Sequence, residues 1–336
     1  MSIRDRVLVG GAGGFIGHHL VKRLKRDGYW VRGVDLKYPE YEATAADEFE
    51  ILDLRHWDNC LQATRGIAQV YQLAADMGGI GYITQFHADI ATNNILINAH
   101  MLRASRVNGI NRFLYSSSAC VYAQSKQTSE EVTPLKEEDA YPADPEPGYG
   151  WEKLYAEQLC QYFYADYGFE TRIVRFHNVY GPLGTYDGGK EKSPAALCRK
   201  VALADDGGDL EIWGDGNQTR SYMYVDDCVE GLTHLMASNW HDPLNLGTDR
   251  LISINELADM VCGIAGKSLR KRHDLSKPQG VRGRNSDNTR LRKVLSWEPS
   301  TPLETGLRDT YEWIARQLGE SARKAVAVAP GVGQQR

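Results

Sequence analysis

The sequence predicts an α/β protein, a doubly wound parallel sheet with a smaller α/β C-terminal lobe. Three observations carry that prediction. Short β-branched apolar runs alternate with segments whose apolar residues recur at helical spacing. Glycines Gly11, Gly14 and Gly17 stand between the first such run and the first helical segment. The composition is globular, with 42% hydrophobic and 25% charged residues in a chain of 336 that is long enough to bury a full core. The charges, 39 Lys+Arg against 44 Asp+Glu, leave a net of −5 and argue against a protein that neutralises nucleic-acid phosphates. No stretch approaches the ~20 apolar residues that span a bilayer. The polar start, residues 1–6, has no signal-peptide pattern. The six cysteines, Cys60, Cys120, Cys160, Cys198, Cys228 and Cys262, show neither C-x-x-C spacing nor a His cluster. A cytoplasmic protein without metal, membrane or nucleic-acid partners is expected.

The elements follow in order. Val7, Leu8 and Val9 form a strand ending in glycine, and Phe15, Ile16, Leu20, Val21 and Leu24 mark one face of a helix. Residues 29–36, 49–52 and 69–73 read as further strands, with a helix over 56–64, then a longer helix over 89–107 and a strand over 112–116. Strands alternating with helices imply right-handed crossovers and a parallel sheet. Residues 123–148, with Pro134, Pro142, Pro145, Pro147 and the acidic run Glu137-Glu138-Asp139, break the pattern and predict an irregular lid or rim over the sheet's end. Residues 149–167 return to helix and 170–176 to strand, so the first domain is expected to end at 177. A helix over 194–204, short strands at 210–213 and 221–225 and two or three more helices make a second lobe over 178–319. Residues 243–247 read as one more sheet strand, so 226–250 are expected to return to the first domain. From residue 320 a solvated tail is expected.

Glycine is needed at positions 11, 14 and 17 because the chain turns tightly there, the backbone must approach a pyrophosphate, and helix and strand must pack closely. The N-terminus of the helix, opened by Phe15 and Ile16, then faces the phosphate. Asp35, at the end of the second strand, is placed to accept from a ribose 2′-hydroxyl and would repel a 2′-phosphate, which favours NAD over NADP, although Lys37 stands close by. The first domain is therefore expected to be of Rossmann type. Tyr149 and Lys153 lie four apart, about 6 Å along one helix face. A lysine near a phenol favours the phenolate and makes tyrosine usable as an acid/base. That spacing is common on exposed helices, and it gains weight here by following the glycine turn and the Ser116-Ser117-Ser118 run.

On these residues, together with Asp53-Leu54, Leu73-Ala74-Ala75 and the run from Arg175 to Pro182, the chain resembles the extended short-chain dehydrogenase/reductase superfamily, in its nucleotide-sugar epimerase and dehydratase branch. The resemblance implies bound NAD, with Asp53 at the adenine and Leu54 and Ala74 beside the cofactor. Tyr149 would deprotonate a sugar C4 hydroxyl, and Ser118 would share its hydrogen bonding. It also implies a homodimer through the helices at 89–107 and 149–167. Dehydratases of the branch carry an Asp-Glu pair where this chain has Ala119-Cys120. That cysteine, with Asp76-Met77-Gly78-Gly79 and the stretches 188–194 and 280–287, resembles the members that epimerise GDP-mannose at C3 and C5. A GDP-sugar substrate is then implied, leading to GDP-β-L-galactose, GDP-L-gulose or both. Cys120 and Lys192 would be the acid/base pair on opposite faces of the ring, with Lys190 the alternative to Lys192. Arg220 and Arg282 or Arg284, with Lys200, would hold the diphosphate, and Gly78, Ala119, Asn178, Glu191, Ser193 and Gln218 would complete the substrate contacts. His177 is expected to be a satisfied core histidine and the other five cysteines packing residues. Two other readings stay open: a C4 epimerase of a UDP- or GDP-hexose, which needs no second acid/base pair, and a non-catalytic NAD sensor, a class that typically loses the Tyr/Lys pair.

Overall fold

The alternating apolar runs assemble, in a computed structural model that describes residues 6–328, into one seven-stranded sheet. The first part of the chain forms β1 (Arg6–Gly10), α1 (Phe15–Arg26), β2 (Trp30–Asp35), β3 (Glu48–Ile51), α2 (Trp57–Thr64), β4 (Gln69–Gln72), the single turn α3 (Ile80–Ile83), α4 (His87–Val107) and β5 (Arg112–Ser118). It continues through α5 (Tyr149–Tyr167), β6 (Thr171–Phe176), β7 (Asn178–Tyr180), α6 (Ser193–Leu203), β8 (Asp209–Trp213), β9 (Thr219–Arg220), β10 (Tyr222–Tyr224), α7 (Val225–Ala237) and β11 (Pro243–Leu246). The last part is β12 (Ile252–Ser253), α8 (Ile254–Ala265), β13 (Arg270–Asp274), β14 (Gly283–Arg284), α9 (Thr289–Leu295) and α10 (Leu303–Val328).

The large sheet has the order β11-β6-β5-β4-β1-β2-β3, and all its pairs are parallel. Both faces are covered, which is why its strands read as continuous apolar runs. α1 and α7 pack on one face around Leu20, Val21, Leu24, Val229 and Leu232, and α2, α4 and α5 on the other around Ala63, Met101, Leu102 and Ala156. A fully buried Val, Leu or Ile contributes about 1.5–3 kcal/mol, so these two layers dominate the stability. The strand order reverses between β1 and β4, and a crevice opens there at the carboxyl ends of the strands. The smaller lobe packs α6, α8 and α10 on a core of its own, through Leu197, Val201, Leu257, Val261, Leu307 and Ile314.

Three particulars differ from the sequence reading. β5 runs two residues beyond the expected 112–116 and delivers Ser118 to the rim of the crevice. The Pro-rich stretch 123–148 is anchored: Gln127, Leu135, Glu137 and Ala140 are buried, Glu137 Oε1 accepts the Asn245 N–H at 3.0 Å, and Leu135 bridges to Ser286. It forms a fixed rim. Within the tail expected from residue 320, α10 continues as helix to Val328. Residues 329–336 of that tail, and residues 1–5 of the polar start, lie outside the described residues. Among the described residues no helix is long and apolar enough to cross a membrane, and no group of three or more His, Cys, Asp or Glu side chains could hold a metal ion.

Candidate active site

A cleft of about 1650 Å³ follows the crevice into the smaller lobe, and every site residue named from the sequence lines it. At its first end β1 turns at Gly11, whose φ of +81° suits glycine, and a Cβ there would stand 2.8 Å from the Ala74 amide nitrogen. A Cβ at Gly17 would come within 2.0 Å of the Gly11 carbonyl oxygen, and one at Gly13 within 2.1 Å of the Lys37 carbonyl oxygen. Gly13 was not singled out by the spacing. Gly14 was, yet a Cβ there meets only one atom, at 3.4 Å. Gly14 instead caps α1, which has no side-chain cap and no acid in its first turn. The N–H groups of that turn are left to an anion. Asp35 accepts from the Gly13 and Leu36 amides at 2.9 and 2.6 Å, and burial pushes its carboxyl up. Asp53 is gripped by Arg55 at 2.6 Å, and that guanidinium holds its carboxyl below the usual range. Phe15, Ile16, Leu54 and Ala74 line the same end. A cradle with no room for Cβ atoms, an uncapped helix N-terminus and a carboxylate closing β2 fit a dinucleotide.

The middle of the cleft is built where β5 ends. Ser118 caps the short turn Ala119–Val121, its Oγ accepting the Cys120 N–H at 3.2 Å, and it shares the cleft wall with the Tyr149 phenol. α5 presses against this turn because Gly150 has no side chain; a Cβ there would stand 2.4 Å from the Cys120 carbonyl oxygen. Tyr149 and Lys153 are both buried on α5, and Lys153 Nζ donates to the Ser116 carbonyl at 3.0 Å and lies 5.5 Å from the Tyr149 ring centroid. Burial pushes the phenol up and the ammonium down.

Arg284 Nη1 donates to Cys120 Sγ at 3.5 Å. Burial pushes the thiol up, Arg284 draws it back toward the thiolate, and the charge of Glu146 opposes that. Lys192, the N-cap residue of α6, is pushed down by burial and feels the charge of Cys120. Lys190 points elsewhere: its Nζ lies 3.8 Å over the Tyr82 ring and 3.9 Å from Asp76. Glu146 went unnoticed in the sequence because it sits among prolines, where nothing marks one acid from its neighbours.

Toward the smaller lobe, Arg220 of β9 and Arg284 of β14 are paired in register. Among the described residues neither makes an ion pair; Arg220 donates to the carbonyls of Thr219 and Gln279 at 2.8 and 3.2 Å, and burial with the charge of Arg284 lowers it to about 10. Two guanidiniums side by side without a carboxylate make an anion site. Arg282, expected with them, instead holds Asp215 at 2.6 Å and also Glu130, and Lys200 holds Glu211 at 2.7 Å. Both cations are neutralised by their own chain. Gln218 is buried with its Oε1 unpartnered, Asn178 donates to the Ser221 carbonyl at 3.1 Å, and Ser193 Oγ lies 2.7 Å from the Tyr222 hydroxyl. Glu191 accepts the Gly189 N–H at 2.7 Å, and Gly78 and Ala119 are buried in the wall. His177 is a core residue: burial lowers it to about 3, and its Nε2 lies 3.3 Å from Asn245 Oδ1.

Residues 7–247 match the NAD dependent epimerase/dehydratase family. The chain belongs to that family. NAD is its cofactor, and the turn of Gly11, Gly13 and Gly17 is where this epimerase/dehydratase would hold it. Similar relatives include GDP-mannose 3,5-epimerase 1 of Oryza sativa subsp. japonica, 46% identical over 330 residues and covering 98% of this chain and 86% of the relative. Another is GDP-mannose 3,5-epimerase of Arabidopsis thaliana, 47% identical over 326 residues and covering 96% and 86%. Among solved structures, UDP-glucose 4-epimerase from Thermotoga maritima with UDP-glucose has a TM-score of 0.84 at 27% identity, covering 93% of this chain and 99% of that one. UDP-glucuronic acid 4-epimerase from Bacillus cereus, in complex with UDP-glucuronic acid and NAD, has a TM-score of 0.78 at 27% identity over the same shares.

Proposed function

We propose that this epimerase/dehydratase converts GDP-α-D-mannose to GDP-β-L-galactose, GDP-L-gulose or both, by transient oxidation at C4 and proton exchange at C5 and C3. The observation that supports this reading is that two further groups able to carry protons, Cys120 and Lys192, line the cleft that holds Tyr149 and Ser118. Epimerisation at C4 alone needs no such pair. Two relatives named GDP-mannose 3,5-epimerase, at 46% and 47% identity, support the choice of substrate.

NAD held at the turn of Gly11, Gly13 and Gly17 would supply a reversible hydride acceptor for C4, so the redox sum would be zero. Tyr149, in the same cleft wall as Ser118 and near the Lys153 ammonium, takes the C4 hydroxyl proton and gives it back. A C4 carbonyl acidifies the protons at C5 and C3, which a C4 hydroxyl leaves inert. Inverting a centre requires a proton to leave one face and another to arrive on the opposite face, and Cys120 and Lys192 serve the two faces. Their ordinary values, ~8.5 and ~10.4, lie above neutrality. Burial brings Lys192 down toward the working range, and Arg284 favours the Cys120 thiolate. Arg220 and Arg284 hold the diphosphate, with Gly78, Asn178, Glu191, Ser193 and Gln218 around the sugar nucleotide.

In the same reading residues 1–177 with 226–250 hold the cofactor and 178–319 the nucleotide sugar. The exposed Ile95 and Leu96 of α4 and Trp151, Tyr155 and Tyr162 of α5 pair two copies of the chain. Six unpaired thiols suit a reducing cytoplasm. Incubation with GDP-mannose, followed by NMR identification of the products, tests the reading: GDP-L-galactose or GDP-L-gulose is expected, and GDP-talose, the product of C4 inversion alone, would overturn it.

A further inference from the structure

The scheme above gives no role to a buried carboxylate beside the reaction centre. Glu152 precedes Lys153 in α5, and its side chain is 0% exposed, a place where carboxylates are seldom found without partners. Its Oε1 accepts from Asn94 at 2.8 Å and stands 3.9 Å from Lys153 Nζ, and its Oε2 accepts from Asn98 at 3.4 Å. The two asparagines lie one turn apart on α4, and each is fixed in turn: Asn94 Oδ1 accepts the Asp76 N–H at 2.6 Å, and Asn98 Oδ1 accepts from Gln72 at 3.3 Å. α4 thus aims two amide donors at a carboxylate whose cationic neighbour is the lysine beside Tyr149.

Other titratable groups surround the pair. Tyr115 of β5 has its ring centroid 5.1 Å from Lys153 Nζ, Tyr149 lies at 5.5 Å, and Cys120 faces the lysine from the turn after β5. Glu157, one turn along α5, has its charge met by Arg175 at 2.7 Å. Asp76, beyond Asn94, accepts from Tyr82 at 2.8 Å and Asn93 at 3.0 Å and faces Lys190 at 3.9 Å. Among the described residues, Glu152 is the one acid within ion-pairing distance of Lys153, and Lys153 is its one cation.

We propose that Glu152 is a positioning residue for proton transfer at C4, holding the charge on buried Lys153 so that the lysine can serve Tyr149. This rests on the assignment of Tyr149 and Lys153 made above. Lys153 is 1% exposed and has one carbonyl partner, so burial alone drives it toward the neutral amine, which gives the phenol no electrostatic help. A carboxylate at 3.9 Å opposes that loss. Burial also raises Glu152 itself, to about 7, with the lysine and the two asparagine donors working against the rise. The pair is a dipole whose negative end is anchored to α4 and whose positive end lies 5.5 Å from the Tyr149 ring.

Glu152→Gln removes the charge at nearly constant volume. In that variant the alkaline limb of C4 oxidation, read as reduced nicotinamide formed on mixing NAD-loaded protein with GDP-mannose, is expected to move to lower pH by about one unit or more, since an opposite charge within ~4–6 Å commands shifts of that size. A slower reaction with an unmoved limb would overturn the proposal, because lost packing changes amplitude and not position. Glu152→Asp keeps the charge and is expected to restore most of the shift. A readout free of substrate and cofactor is the NMR titration of protein labelled at the lysine ε-carbons, with the Lys153 signal assigned by Lys153→Met. Its midpoint should fall in Glu152→Gln, and equal midpoints would overturn the proposal. If Glu152→Gln does not fold, Asn98→Ala, which weakens the hold on the carboxylate, should lower the Lys153 midpoint by less; an unmoved midpoint there counts equally against it. A wild-type protein that never reduces NAD with GDP-mannose, yet whose Lys153 midpoint follows Glu152, would defeat the substrate reading and leave the proposal standing.

Discussion

Cys120 and Lys192 arrive at the same cleft from opposite electrostatic starting points: burial makes the thiol reluctant to lose its proton and the ammonium ready to. General acid/base groups typically contribute ~10²–10⁴-fold. Cys120→Ala should therefore cut solvent exchange at C5 by about a hundredfold or more while reduction of NAD by GDP-mannose continues, as rapid-mixing absorbance would record. Lys192→Ala should do the same, whereas Lys190→Ala should change turnover by less than roughly threefold, an effect below ~1 kcal/mol. The two lysines could not be told apart in the sequence, where they sit two apart in one glycine-rich loop. What separates them is tertiary: the Lys190 carbonyl accepts the Gly79 N–H at 3.1 Å, and its ammonium settles on Tyr82. Arg282 and Arg284 differ for the same kind of reason, because the carboxylates that capture Arg282 come from Asp215 and Glu130, far away in sequence.

At the scale of elements, the turn after β1 and the loop after β4 decide how closely backbone can approach the ligands. Gly13→Ala would force a methyl group against the Lys37 carbonyl and should cost about 1–3 kcal/mol or more, as denaturant unfolding would measure, together with loss of NAD binding. Gly14→Ala should leave stability within about 0.5 kcal/mol. Gly78→Ala would place Cβ 2.9 Å from the Tyr82 Cβ and push that ring off Asp76 and Lys190. Its expected effect is a larger loss in kcat than in unfolding free energy. Most elements were legible because their apolar runs are long: β1, α4, α5 and β6 lie within two or three residues of their expected ends. The anchored rim was not, since proline and acidic residues mark irregular chain without saying that Leu135 and Glu137 turn inward to meet Ser286 and Asn245. Glu146 and Glu152 were missed for a related reason, as one looked like rim and the other like an ordinary helix acid.

At the scale of the whole molecule, the reversal of strand order between β1 and β4 and the return of β11 beside β6 bring the cofactor turn, the reaction centre and the arginine pair onto one cleft. In the wall of that cleft His177 is lowered from 6.5 to about 3 by burial. The folded state keeps it neutral, while the unfolded chain takes up a proton below 6.5. Its contribution is therefore complete above that pH and is lost as the solution is acidified toward 3. Between pH 7.5 and 5 the wild type should lose about 2 kcal/mol more unfolding free energy than His177→Gln. Comparing the two proteins cancels Asp35, Glu137 and Glu152, whose raised carboxyls act in the opposite sense.

The central claim is that this cleft moves protons at carbons whose hydrides stay in place, and it is tested most directly by incubating the protein with NAD and GDP-mannose in D₂O and locating deuterium by NMR. Deuterium is expected at C5, and at C3 wherever that centre inverts, with none at C4. A sugar that turns over while C5 and C3 keep their protium would contradict the account.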